Sequence, residues 1–277
     1  MTRTGSGGHD HEVVDSGDRS TLLRRRLPER GGLSASAEAH LLRLVASRSP
    51  LPVPQVVRLI SDDVMEMQRV PGTPLLHHLP LPSRDEVRRL ALALGGFVAA
   101  LSQVPRAAVK DLVPVEQPAL DEYRDEAAEL SRTLHPELTV AQRRAVASFL
   151  VRLPPPSPAG LYLAHSDLGA EHVFVAGAPR QVTGVIDWSD SAIGDPALDL
   201  GLIMRDLGVD GLQHALTAFV AGGGDVSGAV PRARFYARVR ALEDLSFGLE
   251  QDVQAYRDNA LRSIDELFLA GDAQTCP

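Results

Sequence analysis

The sequence has 277 residues, of which 44% are hydrophobic and 23% charged, and this balance excludes a disordered, collagen-like or coiled-coil chain. The net charge is −8, with −9 in residues 76–277 and +1 in residues 1–75. Nucleic-acid binding needs clustered basic residues, so this charge argues against it and favours cationic partners, unless it serves only solubility. The 28 basic residues are 27 arginines and one lysine, Lys110, so chemistry that needs a lysine must use that position.

The expected compartment follows from three features of the sequence. Cys276 is the only cysteine, so no intrachain disulfide can form, which fits a reducing environment. Residues 1–18 contain no apolar run typical of a signal peptide, and no run of about 18 apolar residues is long enough to span a membrane. We therefore expect a cytoplasmic protein without a membrane partner.

The first 70 residues combine short strands with one helix. The runs 12–14 and 21–23 flank a turn and predict a hairpin. Apolar residues at helical spacing predict a helix over 34–46, which the following prolines end. The runs 56–60 and 64–67 predict a second pair of strands. These elements predict a small α+β lobe over residues 1–70.

From residue 71 the pattern becomes mainly helical. Ser83 with Glu86 three residues later has the pattern of a helix N-terminus, and so does Thr139 with Gln142. Further helices are predicted at 118–134, from Asp195-Pro196 to about Gly208, and over 212–269 with a break at 222–224. Short strands are predicted between them at 161–163, 173–175 and 182–186. We expect a second lobe over residues 71–277.

Reactive side chains gather at the ends of the predicted strands in the second lobe. His165, Asp167 and His172 lie between two strands, and Asp187 ends the next strand, in Ile-Asp-Trp. Loops at strand ends present side chains to ligands. Either aspartate alone is better explained as a turn former, but the pair at this spacing favours a site.

These motifs resemble those of the aminoglycoside phosphotransferase and choline kinase family. The family has His-x-Asp, then Asn five residues later, then a strand that ends in Asp, and the segment 194–200 is similar to its Gly-Asp-Pro-x-x-Asp-Leu. The resemblance extends over nearly the whole chain. It implies an α+β, bilobal protein-kinase-like fold with a small β-rich N-terminal lobe and a larger, mainly helical C-terminal lobe.

The resemblance also implies roles for the loop residues. Asp167 would be the catalytic base that orients the acceptor hydroxyl, and Asp187 would bind Mg²⁺. His172 stands where the family usually has Asn, and macrolide-type members resemble this sequence in having His there. His172 is predicted to lie at the metal site, and the alternative is that it only braces the loop. His165, Asp195 and Asp199 are expected to be structural. Trp188 could fill the core or border the site.

ATP or GTP is the implied phosphate donor. The phosphate-binding position that the family usually fills with Lys or Arg is assigned to Arg26, or to Arg24 beside it, paired with Glu38; a solvated strand edge is the alternative. Gly5, Ser6 and Gly7 would cover the phosphates, and the start of the lobe is short for the family. The backbone of Gln68 and Val70 would contact the base.

The resemblance implies a second substrate, a small molecule whose hydroxyl group accepts the phosphate, and an acidic surface would bind it. Asp190, Glu243 and Asp244 are predicted to contact it, and their charge fits a cationic aminoglycoside- or macrolide-like antibiotic. The same fold would also serve a metabolite kinase for an amino alcohol or sugar, or a pseudokinase that only binds nucleotide. We expect a monomer or a weak dimer.

Overall fold

A computed structural model describes residues 11–15, 20–27, 29 and 31–270. The predicted glycine-rich turn at Gly5, Ser6 and Gly7 lies outside these residues, as does Cys276. Within them, a small sheet region precedes a larger, mainly helical part, as the sequence predicted. No helix among the described residues combines the length and the low polarity needed to cross a membrane.

The N-terminal region contains one antiparallel sheet and one helix. The four strands have the spatial order β1-β2-β4-β3, and their bounds are β1 His11–Asp15, β2 Thr21–Arg26, β3 Val56–Ser61 and β4 Val64–Gln68. The predicted hairpin and second strand pair are both present. Helix α1, Ala35–Ala46, packs against β3 and β4. Ser34 caps it by accepting from the amide of Ala37, because a hydroxyl satisfies a helix-terminal N–H that has no backbone partner.

Two small sheets connect this region to the helices. One has the order β5-β7-β8 and the other pairs β6 with β9, with bounds β5 Thr73–Pro74, β6 Tyr162–Ala164, β7 Val173–Ala176, β8 Gln181–Val185 and β9 Ala192–Gly194. All pairings among these strands are antiparallel. They place the segments after β6 and after β8 side by side, since the amide of Ile186 donates to the carbonyl of His172 at 2.9 Å.

Seven helices form most of the remaining chain. Their bounds are α2 Arg84–Ser102, α3 Arg106–Val109, α4 Leu120–Thr133, α5 Val140–Leu150, α6 Pro196–Ala221, α7 Ala229–Glu250 and α8 Gln254–Ile264. The Thr139–Gln142 capping box is complete, whereas Ser83 caps α2 but Glu86 instead binds Arg180 at 3.0 Å. Helices α2 and α6 cross closely because Gly95 has no side chain, and a Cβ there would lie 2.1 Å from the carbonyl oxygen of Ala215.

Helix α6 is kinked where the sequence predicted its end. Gly208 has φ 74° and ψ −173°, so the helix changes direction there and then continues to Ala221. The kink takes backbone carbonyls out of the helical hydrogen-bond ladder. The carbonyl of Arg205 accepts from the hydroxyl of Ser263 at 2.6 Å, and that of Asp206 accepts from Arg262 at 2.9 Å. Helix α8 therefore stabilises the bend.

Candidate active site

The loop between β6 and β7, residues 165–172, forms the centre of the site, and we call it the catalytic loop. Asp199 on α6 accepts from the amides of His165 and Ser166, both at 2.9 Å. Ser166 has φ 69°, in a left-handed region that costs a non-glycine residue free energy. The Asp199 carboxylate holds this turn of the loop in place, which is the structural role that the sequence predicted for it.

His165 supports the loop from below. Its Nε2–H donates to the carbonyl of Ile186 at 3.0 Å, and its Nδ1 accepts from the amide of Asp167 at 3.3 Å. The ring is fully buried and packs edge-on against Trp188 at 4.8 Å between centroids. Burial, together with nearby His172, lowers the pKa of His165 to about 4, so the ring is neutral. Trp188 is also fully buried and belongs to the core.

Three of the predicted site residues converge above this support. The Nδ1 of His172 lies 3.2 Å from Oδ2 of Asp167 and donates to the Asp167 carbonyl at 2.9 Å. Its Nε2 lies 3.5 Å from Oδ2 of Asp187. Each of the three side chains keeps part of its surface open to solvent, with 31% of Asp167 exposed. The imidazole therefore sits between two accessible carboxylates.

The charges of these residues perturb one another's pKa values. Burial alone would raise the pKa of Asp167, but His172 and Arg240 outweigh it and lower that pKa to about 2. Asp187 is affected in the same way: burial opposes ionisation, yet His172 and Arg24 hold its pKa well below the usual range. Burial disfavours the charged ring of His172, but the two carboxylates raise its pKa well above the usual value. Both aspartates are thus ionised at neutral pH.

Asp187 is fixed by its position after β8 and by two side chains. Its φ of 62° turns the chain sharply at the end of the strand. Ser189 donates to its Oδ1 at 2.9 Å, and Arg24 donates to the same oxygen at 3.1 Å. Oδ2 faces His172. A strand end, a strained backbone and two donors therefore direct this carboxylate toward the catalytic loop.

The arginine that pairs with Glu38 is Arg24, which corrects the predicted Arg26. Arg24 lies mid-strand opposite Met65, and its guanidinium contacts Glu38 at 2.5 Å as well as Asp187. Arg26 is the last residue of β2, beyond the reach of that helix face. Its side chain instead contacts Asp63 at 3.5 Å and the Gly31 carbonyl at 3.1 Å. Strand alternation placed both arginines on one face, but only Arg24 faces α1.

At the predicted hinge, Gln68 ends β4 and Val70 follows it toward the second part of the chain. The amide of Gln68 donates to the Gln55 carbonyl at 2.8 Å, so it is already engaged. Val70 packs against β8, where a Cβ on Gly184 would lie 2.6 Å from its Cγ1. The hinge therefore contacts the strand that leads to Asp187. A contact of either residue with a base stays a prediction.

Glu171 is a carboxylate of this site that the sequence analysis did not identify. One oxygen atom of Glu171, one of Asp167 and one nitrogen of His172 lie within 4.8 Å of one another, which is close enough to share an ion. Its position directly before His172 was the available signal. Its Oε2 accepts from Arg205 at 2.9 Å.

The three predicted acceptor residues occupy different environments. Asp190 is exposed, two residues beyond the buried Trp188. Glu243 is half-buried and pairs with Arg240 at 2.6 Å. Asp244 pairs with Arg205 at 2.9 Å and belongs to a buried network below the catalytic loop. Of these two α7 acids, Glu243 pairs with Arg240 and Asp244 with the buried Arg205.

An acidic cavity of about 550 Å³ adjoins the catalytic loop, and we call it the acceptor cavity. Ser166, which directly precedes Asp167, forms part of its lining. Its other walls are α4 and the segment before it, which contribute three carboxylates, and α7; the side chains used below are Glu116, Glu122, Glu126, Tyr123 and Tyr236. The sequence predicts the helix at 118–134, but spacing alone does not show which face of it borders a cavity.

Comparison with known proteins identifies the class. The profile of the phosphotransferase enzyme family matches residues 3–236, so the chain belongs to that family. Solved structures with the kinase-like fold cover nearly the whole chain, and the chain is a small-molecule phosphotransferase. The predicted family, fold class and kind of enzyme are therefore confirmed.

Individual relatives are antibiotic phosphotransferases. Viomycin phosphotransferase from Streptomyces vinaceus is 28% identical over 264 residues, which are 91% of this chain and 86% of that protein. A macrolide 2'-phosphotransferase from Brachybacterium faecium is 26% identical, with a TM-score of 0.62 and coverage of 93% of this chain and 90% of that one. The GDP complex of aminoglycoside 2'-phosphotransferase-IIIa is 22% identical, with a TM-score of 0.66 and coverage of 96% and 91%.

Proposed function

We propose that this chain transfers the γ-phosphate of ATP or GTP to a hydroxyl group of a cationic antibiotic of the aminoglycoside, macrolide or viomycin type. The observation that carries this proposal is the convergence of Asp167, His172 and Asp187 beside the acidic acceptor cavity. The names of the relatives support the acceptor class, and structures with GDP or with ATP among the neighbours support the donor.

Asp167 acts as the base in this proposal. Its ionised carboxylate accepts a hydrogen bond from the acceptor hydroxyl and orients the oxygen toward the γ-phosphorus. A new bond forms between that oxygen and phosphorus while the bond from phosphorus to the β–γ bridging oxygen breaks. The hydroxyl proton passes to Asp167, and the nucleoside diphosphate leaves. Because such reactions depend on positioning, the hydrogen bonds that hold the catalytic loop are part of the machinery.

The donor set fits Mg²⁺, which would neutralise charge on the phosphates. Asp187 supplies a carboxylate oxygen, the kind of ligand that Mg²⁺ prefers. The Nδ1–H of His172 donates to the Asp167 carbonyl, and its Nε2 lies on the side of Asp187. Because the two carboxylates raise the pKa of this ring, His172 would have to lose its Nε2 proton before that nitrogen could bind the ion. Imidazole suits a hard cation less well than carboxylate, so Asp187 would be the main protein ligand and His172 a weaker one.

Arg24 is the proposed phosphate ligand. Its guanidinium already bridges Glu38 and Asp187, which places a positive charge next to the proposed metal site. Arginine can contact phosphate oxygens with two donors at once. Gly5, Ser6 and Gly7 would cover the phosphates from above, and Val70 would contact the base.

The acceptor cavity supplies the substrate side. Glu116, Glu122 and Glu126 offer carboxylates to ammonium groups, and Tyr123 and Tyr236 offer ring surface and hydroxyls. Glu243 and Asp190 would add carboxylates on the acceptor side of the site. A cationic molecule bound here would contact Ser166 and so lie next to Asp167, the following residue of the catalytic loop.

Nucleotide binding and transfer are tested separately. Thermal unfolding with Mg²⁺ and millimolar ATP or GTP should show stabilisation, because a ligand that binds only the folded state shifts unfolding. Transfer is then assayed over viomycin, kanamycin, a macrolide, an amino alcohol and a sugar. Stabilisation without transfer would favour a pseudokinase, and transfer to the last two alone would favour a metabolite kinase. Absence of both contradicts the proposal.

The role of Asp167 is tested by Asp167→Asn. We expect transfer to fall by about 10²–10⁴-fold, the usual contribution of a general base, with nucleotide binding retained. Loss of nucleotide binding in this variant would contradict the assignment of Asp167 as the base.

A further inference from the structure

Arg205, on α6 directly below the catalytic loop, carries the most extensively paired buried charge near the site. Its side chain is 2% exposed, and it contacts three carboxylates. Nη2 donates to Glu171, Nε to Asp206, and Nη1 pairs with Asp244, each at 2.9 Å. A planar guanidinium with donors on several sides is suited to such a junction. The junction joins the loop to α6 and α7.

The catalytic loop is shaped to make this contact. A Cβ on Gly169 would lie 2.3 Å from Oε1 of Glu171 and 2.5 Å from Nη2 of Arg205, so any side chain there would displace the ion pair. The amide of Ala170 donates to Asp206 at 2.7 Å. Asp206 is held in turn by Asn259 of α8 at 2.9 Å. Three consecutive loop residues, 169–171, therefore pack against or bind the buried cluster of Arg205 and Asp206.

The loop residue in that cluster lies next to the chemistry. Glu171 directly precedes His172, and one of its oxygen atoms lies within 4.8 Å of atoms of both Asp167 and His172. The loop leaves the cluster through His172, whose Nδ1–H returns to the Asp167 carbonyl. A shift of Glu171 would therefore displace both His172 and Asp167, the two residues joined by the hydrogen bond that closes the loop.

We propose that Glu171, anchored by Arg205, is a positioning residue for phosphoryl transfer: it sets the relative placement of Asp167 and His172. This inference rests on the proposed function for the identity of the reaction. The anchor also reaches α7 through Asp244, one residue from the Glu243–Arg240 pair. Helix α7, which borders the acceptor cavity, and the catalytic loop are thus both bound to Arg205.

The kinetic test compares Glu171→Ala with Glu171→Gln. Both variants should fold, because Asp206 and Asp244 keep Arg205 paired. For Glu171→Ala we expect kcat to fall by about 10- to 100-fold, the size of effect that a misplacement of about 1 Å produces. The KM values for nucleotide and acceptor should change by less than about twofold, because ground-state binding is not touched. Glu171→Gln keeps an oxygen for Arg205 and should restore most of kcat.

Glu86→Ala is the matched control. Glu86 is also a buried glutamate bound to an arginine, Arg180 at 3.0 Å, but it lies on α2, away from the loop. We expect it to lower stability as Glu171→Ala does and to leave kcat unchanged. An unchanged kcat in Glu171→Ala would overturn the positioning role. A Glu171→Gln variant as slow as Glu171→Ala would also overturn it, since the charge itself would then be required.

A readout independent of turnover separates this inference from the proposed function. The ring nitrogens of His172, assigned by comparison with His172→Gln, should report the Nδ1–H hydrogen bond in heteronuclear NMR spectra of the wild type. We expect this signal to shift in Glu171→Ala and to stay in place in Glu86→Ala. If the wild type transfers phosphate to no acceptor, the proposed function fails, and the His172 signal alone decides whether Glu171 positions the loop. An unshifted signal overturns the inference.

Discussion

The residues of the site are held in unfavourable backbone conformations by their neighbours. Asp187 and Ser166 both have positive φ values, each of which costs on the order of 1 kcal/mol in a non-glycine residue. Asp199 offsets the cost at Ser166 with two hydrogen bonds to the loop, and Ser189 and Arg24 fix the carboxylate of Asp187. Such strain persists where the surroundings determine the conformation, as in pre-organised sites.

The first prediction at the residue scale concerns Arg24. Because Arg24 is the only one of the two candidate arginines that contacts Asp187, Arg24→Ala should lower Mg²⁺-nucleotide affinity by about tenfold or more, equal to at least about 1.4 kcal/mol. The measurement is calorimetric titration with ATP and GTP. Removal of Arg24 also takes a cationic partner from the buried Glu38, so Arg24→Ala/Glu38→Ala is measured beside it to separate binding from folding.

Arg26→Ala is the control for this prediction. Arg26 is 22% exposed and pairs with a half-exposed Asp63 at 3.5 Å, a kind of contact that contributes less than about 1 kcal/mol. Nucleotide affinity should therefore be unchanged in this variant. A larger loss of affinity in Arg26→Ala than in Arg24→Ala would restore the original assignment of the phosphate ligand to Arg26.

A second residue-scale prediction concerns pH and His165. Its pKa is about 4 in the folded chain against 6.5 in the unfolded chain, so between these values the unfolded state binds more protons. The contribution of His165 to stability is therefore present above pH 6.5 and is lost as the pH falls toward 4, by at most about 3 kcal/mol. Denaturant unfolding at several pH values should show a smaller loss in His165→Asn. An equal loss in both proteins would contradict a buried neutral imidazole.

At the element scale, capping residues made the helices predictable and short strands escaped detection. Ser83, Thr139 and Asp195 all cap the helices that they were expected to begin, because these caps are local interactions. Strands β5 and β9 have two and three residues, too few for a period to be recognised. Their pairing depends on contacts with distant segments, which sequence spacing does not contain.

The kink in α6 shows how tertiary contacts override a local signal. Glycine was a sound indicator of a helix end, but α8 supplies Arg262 and Ser263 to the carbonyls that the kink releases, so the helix resumes. The same bend presents Arg205 and Asp206 to the catalytic loop. The sequence of α6 alone predicts neither the continuation of the helix past Gly208 nor these contacts with the loop.

The kink gives a prediction about stability. Gly208→Ala places a Cβ at φ 74° and 3.1 Å from Oε2 of Glu266, and we expect it to lower the free energy of unfolding by about 1–3 kcal/mol. Gly96→Ala, in the interior of α2 with no atom within 4 Å of the added Cβ, should be neutral or stabilising by up to about 1 kcal/mol. Denaturant unfolding measures both. Equal effects at the two sites would contradict the need for a left-handed residue at 208.

At the scale of the whole molecule, charge is distributed unevenly between the parts of the chain. The acidic surplus lies in residues 76–277, and three of its members, Glu116, Glu122 and Glu126, line the acceptor cavity. Other acids of this part, such as Asp199 and Asp206, are buried and accept hydrogen bonds from the backbone of the catalytic loop. The net charge is compatible with the cationic acceptor of the proposed function, but net charge does not distinguish acids that line a cavity from acids that are buried.

The single lysine yields the last prediction. Lys110 is exposed at the end of α3, whereas the cation that contacts Asp187 in the first part of the chain is Arg24. Because Lys110 is an exposed surface residue, Lys110→Ala should change stability by less than about 0.5 kcal/mol and leave kcat and both KM values unchanged. Acylation with an amine-directed reagent modifies only the N-terminal amine in this variant. It should leave transfer unaffected, because the proposed phosphate ligand is the guanidinium of Arg24. Loss of transfer in Lys110→Ala itself would contradict the assignment of that role to arginine.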